Sequence, residues 1–210
     1  MKALQLAPLA AAQDGLALEL LDQAFADDPS LGWYLFAERP RFGERRRAYL
    51  ASYQRFHRSN RLPTLAAWHG QRLLGLSYFS LGGEVPSSAS LEQIGQAIRQ
   101  HCTEECLARL DRLLEAFDQH LQPLACARLE FLAVAPGLQG QGVGGALLQQ
   151  TLSECRRRGC AAMALETGNP ANLPFYQRHG WRQHGELHLE GLHQRYLRHD
   201  LRPGERLQSR

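Results

Sequence analysis

Apolar residues recur along this chain with two different periods, and the alternation between them lays out the elements. Over residues 14–26 the spacing is helical, with Leu16, Leu20, Leu21 and Phe25 on one face and Asp14 placed to cap the start. A second helical stripe, Phe42, Tyr49, Tyr53 and Phe56, spans 41–57. Between the two, Asp27-Asp28-Pro29-Ser30 reads as a breaker and Leu31 to Phe36 as an apolar turn. Residues 4–6 form a short candidate strand, and 65–68 with 73–81 read as a hairpin turned at His69-Gly70-Gln71. A loop rich in Gly, Ser and Pro over 82–90 leads into 91–121. That segment reads as one long helix or two, with Leu107, Leu110, Leu113, Leu114 and Phe117 at heptad-like spacing and Pro123 beyond it.

The second half is punctuated by glycine. Residues 129–134 read as a buried strand, followed by the turn Ala135 to Leu138 and the loop Gln139-Gly140-Gln141-Gly142-Val143-Gly144. A helix over 142–158 turns Leu147, Leu148, Thr151, Leu152 and Cys155 inward. Arg156, Arg157 and Arg158 meet its negative end, and Gly159 stops it. A strand at 161–165 and a short helix at 173–179 follow, the helix capped by Asn172 with Pro174 in its first turn and ended by Gly180. Residues 181–189 and 193–201 close the pattern as a hairpin around Glu190-Gly191. No repeat or linker interrupts the order, so 1–202 is expected to be a single mixed α/β (α+β) domain and 203–210 a flexible tail.

Bulk composition narrows the functional classes. The 210 residues are 44% hydrophobic and 21% charged, ordinary for a globular protein, and a net charge of +3 is too small to call for nucleic acid. No apolar run reaches transmembrane length. The N-terminus lacks a leader-like apolar run, and the five cysteines are odd in number, so a cytoplasmic protein with reduced thiols is expected. His101, Cys102 and Cys106 lack a second ligand pair at zinc spacing and read as packing residues, with no metal expected. Lys2 is the only lysine, which leaves no residue for Schiff-base chemistry.

The glycine loop carries the chemistry. A strand, a turn, a glycine-rich loop and a helix start leave successive backbone N–H groups open to an anion. Gly140-x-Gly142-x-x-Gly145, with Glu166 after the next strand, matches the dinucleotide fingerprint nominally. Against that reading, five residues separate the strand from the loop, and too few strands remain to build a doubly wound sheet. Val134-x-Pro136-x-x-Gln139-Gly-x-Gly142-x-Gly144 instead resembles the coenzyme-A signature of the GNAT superfamily of N-acetyltransferases. Asn172-Leu-Pro-Phe-Tyr176-Gln-Arg-His-Gly180-Trp181 is similar to that family's later Asn-x-x-x-Tyr-x-x-x-Gly-Phe segment. The two blocks span about 129–181 in the family's order, with a coenzyme-binding core at about 127–182.

That resemblance implies a mixed sheet of six or seven strands flanked by helices, two of the strands splayed to admit acetyl-CoA as co-substrate. It implies backbone contacts to pantetheine at Leu132, Ala133 and Val134, and to pyrophosphate from Gln139 through Gly140, Gln141, Gly142, Val143 and Gly144. It implies Tyr176 as the acid facing the coenzyme sulfur and Asn169 or Asn172 near the pantetheine arm. Strand alternation puts Arg128, Glu130, Leu132 and Val134 on one face. Glu130 is the expected base, or else the ion-pair partner of an arginine, with Glu166 second; a water relay without any single base is the third option. Arg156–Arg158 are expected either to reach the adenosine phosphate or to end a solvated helix.

The acceptor is expected to be a small primary amine, because the insert before the coenzyme strand resembles the puromycin-acetyltransferase-like branch. Trp33, Tyr34, Phe36, Phe79 and the 91–121 segment are its candidate walls, core packing being the plainer account of the aromatics. Neither nucleic acid nor membrane is expected as a partner, and the state is monomer or homodimer. The rival readings are an acyl-CoA-binding sensor without transfer and, remotely, an NAD-dependent oxidoreductase.

Overall fold

The computed structural model describes residues 4–83, 86–121 and 126–201. Seven strands form one sheet in the order β1-β2-β3-β4-β5-β7-β6. They are β1 (Gln5–Pro8), β2 (Thr64–His69), β3 (Arg72–Ser80), β4 (Ala127–Val134), β5 (Ala162–Thr167), β6 (Arg182–Leu189) and β7 (Leu192–Asp200). Only β4 and β5 run parallel; every other neighbour is antiparallel. This excludes the doubly wound parallel sheet of a dinucleotide-binding protein. No helix among the described residues is long and apolar enough to cross a membrane.

Five helices, α1 (Asp14–Ala24), α2 (Pro29–Tyr34), α3 (Phe42–Ser59), α4 (Ser88–His101) and α5 (Glu104–Leu121), build a core with Ala66, Leu76, Tyr78, Phe131 and Ala133 of the sheet. On the opposite face α6 (Val143–Arg157) and α7 (Leu173–Arg178) pack on Leu65, Phe79, Leu129, Met163 and Leu165. All five inward residues expected on α6 are buried. Gly75 lets α6 lie close to β3, since a Cβ there would sit 2.7 Å from the Ala133 carbonyl oxygen and 2.9 Å from Leu147.

Several local expectations are corrected. Asp27-Asp28-Pro29-Ser30 does not only break the chain; it starts α2, with Asp28 as N-cap accepting from the Leu31 N–H at 2.9 Å and Pro29 in the first turn. Asp14 lies inside the first turn of α1, and Leu16 is exposed while Ala17 is buried. For 91–121 the two-helix alternative holds, with a break at Thr103, whose φ is 140°; only the start moves, from 91 to Ser88. Cys102 and Cys106 are buried thiols on either side of that break, bonded to the Arg45 and Cys102 carbonyl oxygens. Pro123, the helix stop, and the expected tail lie outside the described residues.

Candidate active site

β4 decides the site. On one side it pairs with β3 along its length, but among the described residues it pairs with β5 only at Ala127↔Met163 and Arg128↔Ala164. Beyond Arg128 the two parallel strands separate, and among the described residues no strand pairs with the β5-facing edge of 129–134. The expected contacts at Leu132, Ala133 and Val134 fall on that open edge, next to the start of α6.

The glycine loop closes the same end of the wedge. Gly137, Gly140 and Gly142 have φ of 78°, 78° and 87°, a left-handed geometry that other L residues adopt at a cost. A Cβ at any of the three would meet nothing within 4 Å, so the loop faces open space. No side chain caps α6 at Gly142, which leaves its first-turn amides without a side-chain acceptor at the positive helix end. Gln139 Oε1 accepts from the Gly137 N–H at 2.9 Å, and Gln141 Nε2 donates to the Gly137 carbonyl at 3.1 Å, so both glutamines brace the loop. The Val143 side chain is buried in the core, leaving only its backbone outward. Gly144 brings α6 against β4 and α7, a Cβ there standing 3.3 Å from Val134 and 3.6 Å from Phe175.

The strand-alternation reading fails at one residue, with a chemical consequence. Tyr78 pairs with Phe131 and Phe79 with Leu129, so Glu130 is skipped as a bulge. Glu130 and Phe131 therefore both lie on the side of α3, while Leu132 and Val134 pack with the α6 cluster. Arg128 and Glu130 keep one face; Leu132 and Val134 do not share it. The bulge turns Glu130 into a cavity of about 620 Å³ between the β4–β5 wedge and α2–α5, where Tyr34, Tyr49, Tyr53, Glu166, Asn172 and Tyr176 also stand.

The floor of that cavity is polar and tightly connected. Arg128 Nη2 donates to Glu166 Oε1 at 2.5 Å, and Arg128 Nε lies 3.2 Å from Glu130 Oε2. Ser80 Oγ donates to Glu130 Oε1 at 2.9 Å, and the guanidinium stacks 3.9 Å from the Phe117 ring centroid. Glu130 is thus ion-paired, its side chain only 12% exposed. Glu166 is half-buried, its side chain 25% exposed; its Oε2 is buried with no hydrogen-bond partner among the described residues, and desolvation raises its pKa against the pull of Arg128. Tyr176 is buried and its pKa is raised, first by burial and then by the Asp28 and Glu166 carboxylates, so its phenol carries a proton at neutral pH. Asp28 reaches this floor because Ser30 ties α2 down: Ser30 Oγ accepts from the Gly168 N–H at 3.1 Å and donates to Gln194 Oε1 at 2.8 Å.

The two asparagines separate. Asn169 caps the turn before α7, its Oδ1 accepting from the Ala171 N–H at 3.0 Å. Asn172 faces the cavity but makes no side-chain cap, contrary to expectation; its Nδ2 donates to Thr167 Oγ1 at 3.3 Å. Arg157 and Arg158 pair with Glu154, and Arg156 donates to His199 Nε2 at 3.3 Å. They stand at the far end of α6, about 22 Å from the glycine loop by helix rise. Of the candidate walls, Tyr34 lines the cavity. Trp33 instead bonds the Glu190 carbonyl, Phe36 is buried beneath Arg39 and Arg109, and Phe79 is buried on the α6 side. Asp28, Tyr49, Tyr53 and Ser80 were not marked by the sequence. The Asp-Pro cap signature was the available signal for Asp28, and the others belong to stripes that read as plain core.

A seven-stranded, mostly antiparallel sheet opened by one splayed parallel pair, with a glycine-rich helix start at the mouth, defines an acyl-CoA acyltransferase fold. The model of the acetyltransferase (GNAT) family matches residues 23–181, and the chain belongs to that family, whose members draw on acetyl-CoA. A curated acetyltransferase of Agrobacterium fabrum is 36% identical over 59 residues, 28% of this chain and 43% of that protein, so the match spans less than half of that relative. Arylalkylamine N-acetyltransferase 2 from Aedes aegypti superposes with a TM-score of 0.70 at 14% identity, over 95% of this chain and 99% of that one. The Salmonella typhimurium protein yncA, solved with its cofactor acetyl-CoA, gives 0.59 at 14% identity over 97% of each chain. An N-acetyltransferase from Staphylococcus aureus Mu50 gives 0.60 at 14%, over 95% and 99%. At such identities the likeness is one of fold.

Proposed function

We propose that this acetyltransferase moves the acetyl group of acetyl-CoA to a small-molecule primary amine by direct attack on the thioester. One observation carries the reading. An uncapped helix start follows directly on an open strand edge, and that strand, through Leu132, also borders the cavity that holds a buried tyrosine and carboxylates. The open first-turn amides of α6, with Gln139 to Gly144, suit a pyrophosphate, and the β4 edge at Leu132 to Val134 suits the amide-bearing pantetheine arm. Asn172, beside Thr167 on the cavity wall, is better placed to meet that arm than Asn169, which is occupied as a turn cap.

An amine attacks only when neutral, and the departing thiolate needs a proton. Tyr176 holds its phenolic proton firmly and supplies it to the sulfur. The ammonium proton passes to the carboxylates around Arg128. Glu130 is the base first indicated by its place on the strand. A specific observation favours Glu166 as the acceptor of the pair: both Glu130 oxygens are engaged by Ser80 and Arg128, whereas Glu166 Oε2 has no hydrogen-bond partner among the described residues and its pKa is raised. The two carboxylates share one guanidinium, Arg128. Thiol release from acetyl-CoA with a panel of primary amines, alongside Tyr176→Phe, is the test. Amine-dependent release that falls sharply in the variant supports transfer. Coenzyme binding with no release for any amine supports the acyl-CoA sensor instead.

A further inference from the structure

We infer that the acceptor is a primary amine bearing an aryl or straight alkyl tail, its ammonium held at the cavity floor and its tail running outward between α4 and α5. The inference rests on the transfer reading above and names the substrate class for the same site. The cavity volume of about 620 Å³ is in the range that encloses a drug-sized ligand, far more than a bare methylamine fills.

The two ends of the cavity differ in chemistry. At the floor three carboxylates, Asp28, Glu130 and Glu166, face a single guanidinium, Arg128. That excess suits a cation. The aromatic rings of Tyr34, Tyr49 and Tyr53 stand around the same place and add favourable faces for an ammonium. Toward the exit the lining turns apolar: Ile94 and Ile98 from α4, Leu107 and Leu110 from α5. Leu91 and Leu114 finish this arm, 50% and 37% exposed, and they are two of the four large apolar side chains left exposed among the described residues. Apolar surface left open at the rim of a cavity is the mark of a binding site rather than of ordinary surface. The arm's own charges, Arg99 and Asp111, oppose each other in sign, so it offers no row of acids for a polyamine. A longer acyl group on the donor would fill the same apolar volume but would leave the carboxylate excess without a partner. The charge pattern therefore assigns the tail to the amine.

The experiment measures kcat/KM with acetyl-CoA for ethylamine, butylamine, hexylamine, phenethylamine and spermidine. Hexylamine binding to the coenzyme-A complex is measured separately by calorimetry. Each added methylene is expected to raise kcat/KM about 4-fold until the arm is filled, phenethylamine exceeding ethylamine by about 100-fold. Leu114→Asp and Leu91→Asp, at exposed positions that spare the core, should cost hexylamine at least 10-fold more than ethylamine. Turnover independent of tail length, spermidine as the best acceptor, or hexanoyl-CoA outpacing acetyl-CoA with ethylamine would overturn the inference while leaving amine transfer standing. Tight hexylamine binding without turnover of any amine would support the ammonium floor and apolar arm as an amine site and overturn the transfer reading, and with it the amine's role as acceptor. Neither binding nor turnover would overturn both.

Discussion

The proposed coenzyme wedge and the proposed acceptor cavity meet at Tyr176, yet they are made of different material. The wedge is backbone: the uncapped first turn of α6 and the open edge of β4. The cavity is side chains, drawn from α2, α3, α4, α5 and a bulge in β4. A backbone site tolerates changes of side chain but not of conformation. A side-chain site responds to every substitution in its lining. The first therefore leaves a compact motif in the sequence, and the second scatters its residues over more than a hundred positions.

The contrast can be broken most sharply at Gly142. Its φ of 87° and the open space around it make Gly142→Glu a strained substitution that also puts a carboxylate among the open amides. Coenzyme-A affinity by calorimetry should fall more than 1000-fold, equivalent to about 4 kcal/mol at about 1.4 kcal/mol per decade, with the circular dichroism spectrum retained. Unchanged affinity would remove the pyrophosphate from this loop. At the junction, Tyr176→Phe should lower kcat about 100-fold and leave coenzyme binding within 2-fold, as expected when a proton donor alone is lost. A fall in affinity matching the fall in rate would make Tyr176 part of the wedge's packing instead.

On the cavity side, Glu166→Gln should cost more in kcat than Glu130→Gln, by about 10-fold, if the oxygen without a partner takes the proton. The reverse order returns the role to Glu130. Behind the cavity, His57 is buried against Tyr78, its Nε2 without a hydrogen-bond partner among the described residues, and burial lowers its pKa to about 3. A base with a depressed folded pKa stays neutral in the native state, while the unfolded chain takes up a proton below about 6.5. Stability is therefore whole above about 6.5 and is lost as pH falls toward 3. Between pH 7 and pH 5 this histidine should cost about 2 kcal/mol. The raised carboxyls of Asp28 and Glu166 act in the opposite direction. Comparing urea unfolding of the wild type and His57→Leu at both pH values isolates the histidine, and parallel curves would sink the assignment. The smallest effect belongs to Arg157→Ala and Arg158→Ala, which should change coenzyme affinity less than 2-fold, since both pair with Glu154 at the far end of α6.

Most elements could be read from residue spacing because their periods are local. α6 shows why: its buried stripe, its stop at Gly159 and its glycine start all lie within twenty residues. α2 was passed over because Asp27-Asp28-Pro29-Ser30 breaks the preceding helix and begins the next at once, and the breaker reading absorbed the cap. The face of Glu130 was misjudged together with Leu132 and Val134 because a bulge is invisible to strict alternation. It is set by how β3 pairs, between Tyr78 and Phe79.

By itself the sequence determined the elements, the glycine loop and the two blocks that mark the family, since each depends on torsion preferences and on neighbours a few positions away. The tertiary structure alone decided that Glu130 and Glu166 share Arg128, that Asp28 stands over Tyr176, and that α4 and α5 leave an apolar arm open. Those relations join residues far apart in the chain. Their charges and burial exist only once packing has removed water from between them.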